Sequence, residues 1–308
     1  MKKAFSIKDL MKNRNNAAYL FVLPFIIVFL IFNVYPVLRT LFLSFTEYKG
    51  YGDPVFIGIE NYKRVVGDKF FWRALYNTIK MWSLNIVLQL GLAFLLTMVF
   101  SDIKYKMRAL PVFRAVYYLP NLIAATSVAF LFKTLLDWKY GTFNQMLLTI
   151  GVIDQQVNWL GDAKTAWAVI AVIQAWMWFG NSFIMLMAGV QGIPSDYFEA
   201  AAIDGAGRWT TFGKITLPLL RPILLYIAVT SLIGGLQLFD LPFLMNGAGG
   251  PSTQGAPSGT LQTAVMYLYK FGFETHQVGF ASAIAYTLFF IILFVSIMEF
   301  KFIGGKED

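Results

Sequence analysis

Six long, mainly apolar stretches of this 308-residue chain contain no Asp, Glu, Lys or Arg, and they constrain the fold more than any other feature. A membrane helix needs about 20 mainly apolar residues to cross roughly 30 Å of hydrocarbon. We therefore predict an all-α, polytopic membrane protein with six transmembrane helices. The stretches are 17–38, 81–101, 115–132, 165–195, 222–239 and 275–298.

The composition supports this prediction over a soluble fold. Hydrophobic residues make up 57% of the chain and charged residues only 14%, against about 25% charged in an ordinary soluble domain. Too few polar residues remain to cover six buried helices of a soluble core. The net charge of +8 comes from Lys and Arg that cluster between the apolar stretches, which indicates contact with the headgroups of a lipid bilayer and no nucleic-acid partner.

The residue types exclude several kinds of chemistry. There is no Cys, so disulfides and thiolate sites are excluded, and the single His276 cannot form a histidine cluster for a metal. No segment matches GxxxxGK[ST], so another subunit must bind ATP if ATP drives this protein. We expect no cofactor, no metal site, no catalytic residue and no enzymatic activity in this chain.

Basic residues give a weak indication of orientation. The first apolar stretch is longer than the ~7–15 residues of a signal-peptide core, so we expect it to be retained. The basic N-terminus and the basic loop 101–114 fall on one side of a six-helix protein, which the positive-inside rule places in the cytoplasm, although loop 45–80 opposes this. We predict a multi-pass cell-membrane protein with both termini cytoplasmic. The single domain, 1–308, would comprise a cytoplasmic segment 1–16 and a six-helix core 17–303.

The most informative segment, 193–218, lies between the fourth and fifth stretches. Pro194 cannot continue the preceding helix, and Asp196 with Glu199 three residues later matches an N-terminal capping pair. Gly205 stands where a left-handed residue ends a helix. The pattern predicts a short Ala-rich helix, a break and a second helix. It fits either an ordinary amphipathic connector or a surface that a partner protein approaches closely.

The residues of this segment resemble the EAA loop of permease subunits in binding-protein-dependent ABC importers. The matching residues are Glu199-Ala200-Ala201, Asp204-Gly205-Ala206, Phe212, Ile215 and Leu217-Pro218. The resemblance implies a type I importer permease in which 193–218 is a cytoplasmic coupling loop that docks on the ATPase. The residues expected to couple to the ATPase are Glu199, Ala200, Ala201, Asp204, Gly205 and Arg208.

Other segments resemble the carbohydrate branch of that family, in particular the first permease partner of maltose-, raffinose- or lactose-type systems. The matching positions are 19–24, 35–36, 44–46, 56–62, 77–78, 249–251, Thr263 and 279–283. The resemblance implies a sugar or oligosaccharide substrate and three kinds of partner: a second permease, a cytoplasmic ATPase dimer and an extracytoplasmic solute-binding protein.

Polar side chains in the fourth and fifth stretches are the candidate substrate contacts. Such groups at membrane depth are costly unless they face protein or a cavity, and in maltose-type permeases the sugar meets matching segments halfway across the membrane. The candidates are Trp178, Asn181, Ser231, Gly235 and Gln237. The same residues could instead pack and hydrogen-bond between helices.

Two other functions fit parts of the pattern. A glycerol-phosphate or polyol importer would share the family and its coupling loop. A self-contained secondary transporter would show inverted repeats and ionisable groups at mid-membrane depth, and the sequence contains neither. Asp240 and His276 are expected at the outer ends of helices.

Overall fold

The computed structural model describes residues 14–100, 109–246 and 251–303, which fall into two compact units. The first unit holds the described residues up to Gly67 together with Phe271–Tyr286, and the second holds the rest. Most of the N-terminal segment 1–16, the basic residues of 101–108 and the Gly249-Gly250 pair lie outside the described residues. The predicted all-α class is confirmed, since nearly all regular structure is helical.

The first unit begins with a long apolar helix that contains one π-helical turn. The turn at Leu30–Val34 precedes Pro36, which cannot donate a backbone hydrogen bond. The elements are α1 (Arg14–Phe29), the π turn, α2 (Tyr35–Ser44), β1 (Thr46–Glu47), β2 (Val55–Phe56) and α3 (Glu60–Gly67).

A short antiparallel hairpin organises this unit. Thr46 pairs with Phe56, and Nδ2 of Asn61 donates to the carbonyl oxygens of Ser44 at 3.0 Å and Thr46 at 2.9 Å. The backbone of Gly279 approaches so closely that a Cβ there would overlap the Thr46 carbonyl oxygen. Segments 56–62 and 279–283, far apart in the chain, therefore belong to one packed structure.

The second unit is a bundle of long helices joined by short ones. Its elements are α4 (Lys69–Phe100), α5 (Leu110–Leu122), α6 (Ala125–Leu135), α7 (Thr142–Thr149), α8 (Ala166–Gln191), α9 (Ser195–Ile203), α10 (Arg208–Thr211), a π turn (Phe212–Thr216), α11 (Leu217–Leu219), α12 (Arg221–Leu236), α13 (Asp240–Leu244), α14 (Ala264–Tyr269) and α15 (Val278–Ile303). The first turns of α15 and nearly all of the π turn before it (Lys270–Glu274) belong to the first unit.

Within the described residues, five segments are long and apolar enough to cross a membrane: Phe21–Ser44, Lys69–Phe100, Ala166–Gln191, Arg221–Leu244 and Val278–Phe302. The pair α5 and α6 makes a sixth span, bent by 90° between the two helices. Six spans are thus confirmed when the bent pair counts as one.

The third predicted stretch, 115–132, was wrong as one continuous helix. Ile123 and Ala124 have extended backbone, with ψ of 132° and 137°. The buried Pro120 lies in the last turn before them and lacks the N–H that a continuous helix needs. The chain therefore changes direction here.

Helices α4 and α8 form the centre of the bundle, and α5 crosses α8 at Gly180. A Cβ at Gly180 would overlap the carbonyl oxygen of Tyr117, so the crossing requires glycine. Nε2 of Gln89 donates to Oγ of Ser182 at 2.7 Å, which satisfies two buried polar groups between α4 and α8.

The irregular chain before α14 is fixed to the beginning of α4. Nη2 of Arg73 donates to the carbonyl oxygen of Ser258 at 2.6 Å, and Nδ2 of Asn77 donates to those of Gly259 at 2.9 Å and Gln262 at 3.2 Å. The amide of Asn77 would find few hydrogen-bond partners within an apolar span. Its bonds to this loop therefore mark the beginning of α4 as the place where the loop is held.

Candidate functional site

The EAA-like segment forms the short helix that the sequence predicted, although it begins differently. Helix α9 starts at Ser195, directly after Pro194, whose backbone is extended with ψ of 139°. The predicted cap of Asp196 with Glu199 is wrong: no side chain of the described residues caps this helix. Pro194 sets the boundary one residue earlier, so Asp196 lies within the first turn, where its charge still suits the helix dipole.

The end of α9 agrees with the prediction. Gly205 has φ of +73°, the left-handed conformation. Its N–H donates to the carbonyl of Ala202 at 3.2 Å, and the N–H of Ala206 donates to that of Ala201 at 2.9 Å. This pair of bonds is a Schellman motif, which fixes the angle between α9 and the chain that follows.

One side of α9 packs on the bundle and the other is exposed. Ala201 is buried, and Phe198 packs against the core that includes Leu186 of α8 and Ala93 of α4. Of the residues predicted to couple to an ATPase, Ala201 therefore faces the bundle. The exposed ones are Glu199, Ala200, Asp204, Gly205 and Arg208.

Two large apolar side chains on this surface were missed by the sequence reasoning. Ile203 is 87% exposed and Trp209 is 70% exposed, on either side of the Gly205 turn. Exposed apolar side chains beside charged ones are typical of protein interfaces. The sequence does contain a sign of them, since both are large apolar residues in a segment of small and polar ones. Only the structure shows that they are exposed.

A polar stripe runs along α8. Trp167, Gln174, Trp178 and Asn181 follow one another at intervals of three, four or seven residues, which places them on one face of the helix. Trp178 is 41% exposed, and the Asn181 amide has only the Met185 sulfur at 3.9 Å as a partner within the described chain. Packing therefore leaves this stripe able to bond a ligand.

A lysine at one end of this stripe was also missed. Nζ of Lys80, on α4, lies 3.8 Å from the centre of the Trp167 ring, a cation–π contact. Lys80 comes one residue before the charge-free stretch 81–101, so in the sequence it flanks a predicted span. Helix α4 begins at Lys69, which places Lys80 three turns inside the helix.

The candidates on α12 point in two directions. Nε1 of Trp82 donates to Oγ of Ser231 at 3.2 Å, and a Cβ at Gly235 would overlap the Trp82 ring. By contrast, apart from the neighbouring residues and backbone of its own helix, no described atom lies within 4 Å of a Cβ at Gly234, and Gln237 is exposed at the helix end. Ser231 and Gly235 thus hold Trp82, while Gln237 is free to contact other molecules.

Comparison with known proteins gives consistent matches along the whole chain. Residues 10–300 match the family described as binding-protein-dependent transport system inner membrane component. The chain is 34% identical to the probable ABC transporter permease protein YesP of Bacillus subtilis, over 98% of this chain and 93% of that one. It is 33% identical to the lactose transport system permease protein LacF of Rhizobium radiobacter, over 94% of each chain.

A solved structure shows the same fold. One chain of a bacterial ABC transporter involved in the import of the acidic polysaccharide alginate superimposes with a TM-score of 0.81. The alignment covers 98% of this chain and 99% of that one, at 24% identity.

Proposed function

This chain belongs to the family of binding-protein-dependent transport system inner membrane components, and we propose on that basis how it works in a sugar importer. It is a permease subunit of an ABC importer for a sugar or oligosaccharide. Full-length relatives are permeases for lactose and, in Bacillus subtilis at 29% identity, for arabinooligosaccharides. A second permease, a pair of ATPase subunits and a solute-binding protein complete the transporter in this proposal. The solute-binding protein is supported by the alginate ABC transporter, which was solved in complex with an alginate-bound periplasmic protein.

The exposed surface around α9 supports the assignment of this segment as the contact with the ATPase. Glu199 and Asp204 present carboxylates, and Ile203 and Trp209 present apolar surface. A mixed surface of this kind fits a groove on a partner protein. In this proposal the ATPase hydrolyses ATP, and the present chain performs no chemistry.

The packing of α9 supplies a route from the ATPase to the transport path. Phe198 packs on the core that contains Leu186 and other residues of α8, and Ala201 of the same short helix is buried. A displacement of α9 by the closing ATPase would therefore move α8 with it, because close-packed interiors transmit displacement. Helix α8 also bears the polar stripe, so its movement would change access to the sugar.

We place the sugar along that stripe. Trp178 offers an aromatic face for the C–H face of a sugar ring, and Gln174 and Asn181 offer amides for its hydroxyls. From Trp167 to Asn181 the stripe is 14 residues long, about 21 Å at 1.5 Å per residue. This length suits an oligosaccharide of several rings. Ser231 and Gly235 act indirectly in this proposal, by positioning Trp82.

Affinity purification of the tagged chain from its native membrane tests the assignment. We expect a second six-span permease and an ATPase to be recovered with it in mild detergent. Glu199→Lys should release the ATPase and retain the second permease, because it places a cation where the coupling carboxylate stood. Asp154→Lys, an equal charge change on an exposed loop before α8, is the matched control and should retain both subunits.

Two outcomes would contradict the proposal. A folded chain recovered alone, or only as a homo-oligomer, would exclude a heteromeric importer. Equal retention of the ATPase in Glu199→Lys and Asp154→Lys would leave the importer intact but move the coupling contact away from α9.

A further inference from the structure

A cavity of about 550 Å³ lies between the end of α6, helix α7 and the first turns of α8, away from the polar stripe. Its wall is almost entirely apolar. Thr165, one of its few polar members, is satisfied, since its Oγ1 donates to the Trp159 carbonyl at 2.8 Å. Residues that line it include Phe132, Phe143, Met146, Trp159, Lys164 and Val172.

The cavity opens at the surface of the bundle. Met146 and Val172 line it and are each 51% exposed. Lys164 and Thr165 line it just before α8, and its α8 wall runs from Ala168 to Ile173, which lies about 10 Å along the span from the start of the helix at Ala166. The cavity therefore extends from the end of the span well into the hydrocarbon region.

Exposed aromatic residues mark the depth of the opening. Trp138 is 45% exposed and Tyr140 is 85% exposed, both in the chain between α6 and α7. Exposed Trp and Tyr of membrane proteins gather at the level of the lipid headgroups. The end of the cavity near Lys164 thus faces headgroups, and its other end faces acyl chains.

We propose that this cavity binds one acyl chain of an anionic phospholipid, with the phosphate near Lys164. The ammonium of Lys164 makes no salt bridge within the described residues, and Asp162 beside it accepts the Lys164 backbone N–H at 2.9 Å. An unpaired lysine above an apolar cleft matches the charge pattern of such a lipid. This inference requires only that the chain spans the membrane, whatever solute it carries.

The cavity is lined by residues of α6, α7 and α8. A bound acyl chain would therefore also hold α7 against α8 by filling the space between them.

Native mass spectrometry of the purified protein with its co-purifying subunits tests the proposal. The protein would be reconstituted in nanodiscs of equal phosphatidylglycerol and phosphatidylcholine and the retained lipid counted. Lys164→Gln should lower the preference for phosphatidylglycerol about fivefold. Val172→Trp should lower total retained lipid roughly tenfold by filling the cavity.

Matched variants control for general effects. Lys139→Gln removes another exposed loop lysine, and Val87→Trp enlarges an exposed apolar residue of α4; both should leave lipid retention unchanged. Melting temperature confirms that each variant folds.

Wild-type lipid retention in Val172→Trp would overturn the proposal. So would loss of the second permease from Val172→Trp with lipid retained, since the cavity would then hold protein. An unchanged lipid preference in Lys164→Gln would overturn the assignment of an anionic headgroup.

Discussion

The side chains of α8 divide into those whose polar atoms are bonded within the bundle and those whose polar atoms are not. Ser182 accepts from Gln89 in the interior. One residue earlier, the Asn181 amide has only a thioether contact among the residues that the structure describes. Asn181 is half-buried and Trp178 is exposed, so both side chains remain available to a polar ligand or a water-filled path, as the proposed sugar path requires.

At this scale we predict that Trp178→Ala weakens sugar binding. Loss of one aromatic face should raise the half-saturation concentration about three- to tenfold. Uptake of labelled sugar into proteoliposomes, measured across sugar concentrations, would report it. Trp138→Ala, which removes an equally exposed indole near α7, should leave the value unchanged.

The maximal rate separates this effect from a loss of coupling. It should be nearly retained in Trp178→Ala, because α9 is unaltered. An unchanged half-saturation concentration, or the same increase in both variants, would remove Trp178 from the sugar path.

Between elements, the contact of α4 with α12 depends on one glycine. Gly235 is buried beneath the Trp82 ring, whereas the adjacent Gly234 is exposed with open space above it. The pair of glycines therefore has two roles: Gly235 admits the indole, and Gly234 leaves the surface of α12 open.

We predict opposite effects of alanine at these two positions. Gly235→Ala should displace Trp82, break its bond to Ser231 and cost about 1–3 kcal/mol by overpacking. Gly234→Ala should be neutral or stabilise by up to about 1 kcal/mol through helix propensity. Melting temperatures of the detergent-solubilised protein would show the difference.

A smaller residue at 82 provides the internal control. Trp82→Ala combined with Gly235→Ala should cost less than the sum of the two single changes, because the alanine methyl then meets no ring. Equal melting temperatures for the two single glycine variants would contradict this account of the contact.

For the whole molecule, the orientation in the membrane follows from the proposed coupling surface. If α9 meets a cytoplasmic ATPase, the chain between α6 and α8 must lie outside the cell, since α8 alone separates them. The absence of Cys makes the natural sequence a ready background for labelling.

We predict that Asp154→Cys reacts with a membrane-impermeant maleimide in intact cells and that Asp204→Cys reacts only after lysis. Both positions are exposed on this chain, so once the ATPase has been stripped from the lysed membranes, access to the reagent is limited by the membrane alone. Labelling yield on a gel provides the measurement. The reverse pattern would invert the topology and separate α9 from any cytoplasmic ATPase.

The sequence by itself determined the spans, the EAA-like segment and the turn at Gly205, because hydropathy and backbone preference are local properties of the chain. The start of α9 at Ser195 and the bend after Pro120 each depend on a proline. The position of that proline relative to the neighbouring helix is known only from the structure. Both glycines of the 234–235 pair look alike in the sequence, and only the position of Trp82 on α4 distinguishes them. The contact of Lys80 with Trp167 and the cavity beside Val172 were likewise decided by the tertiary structure, since they join residues that only the packing of separate helices brings together.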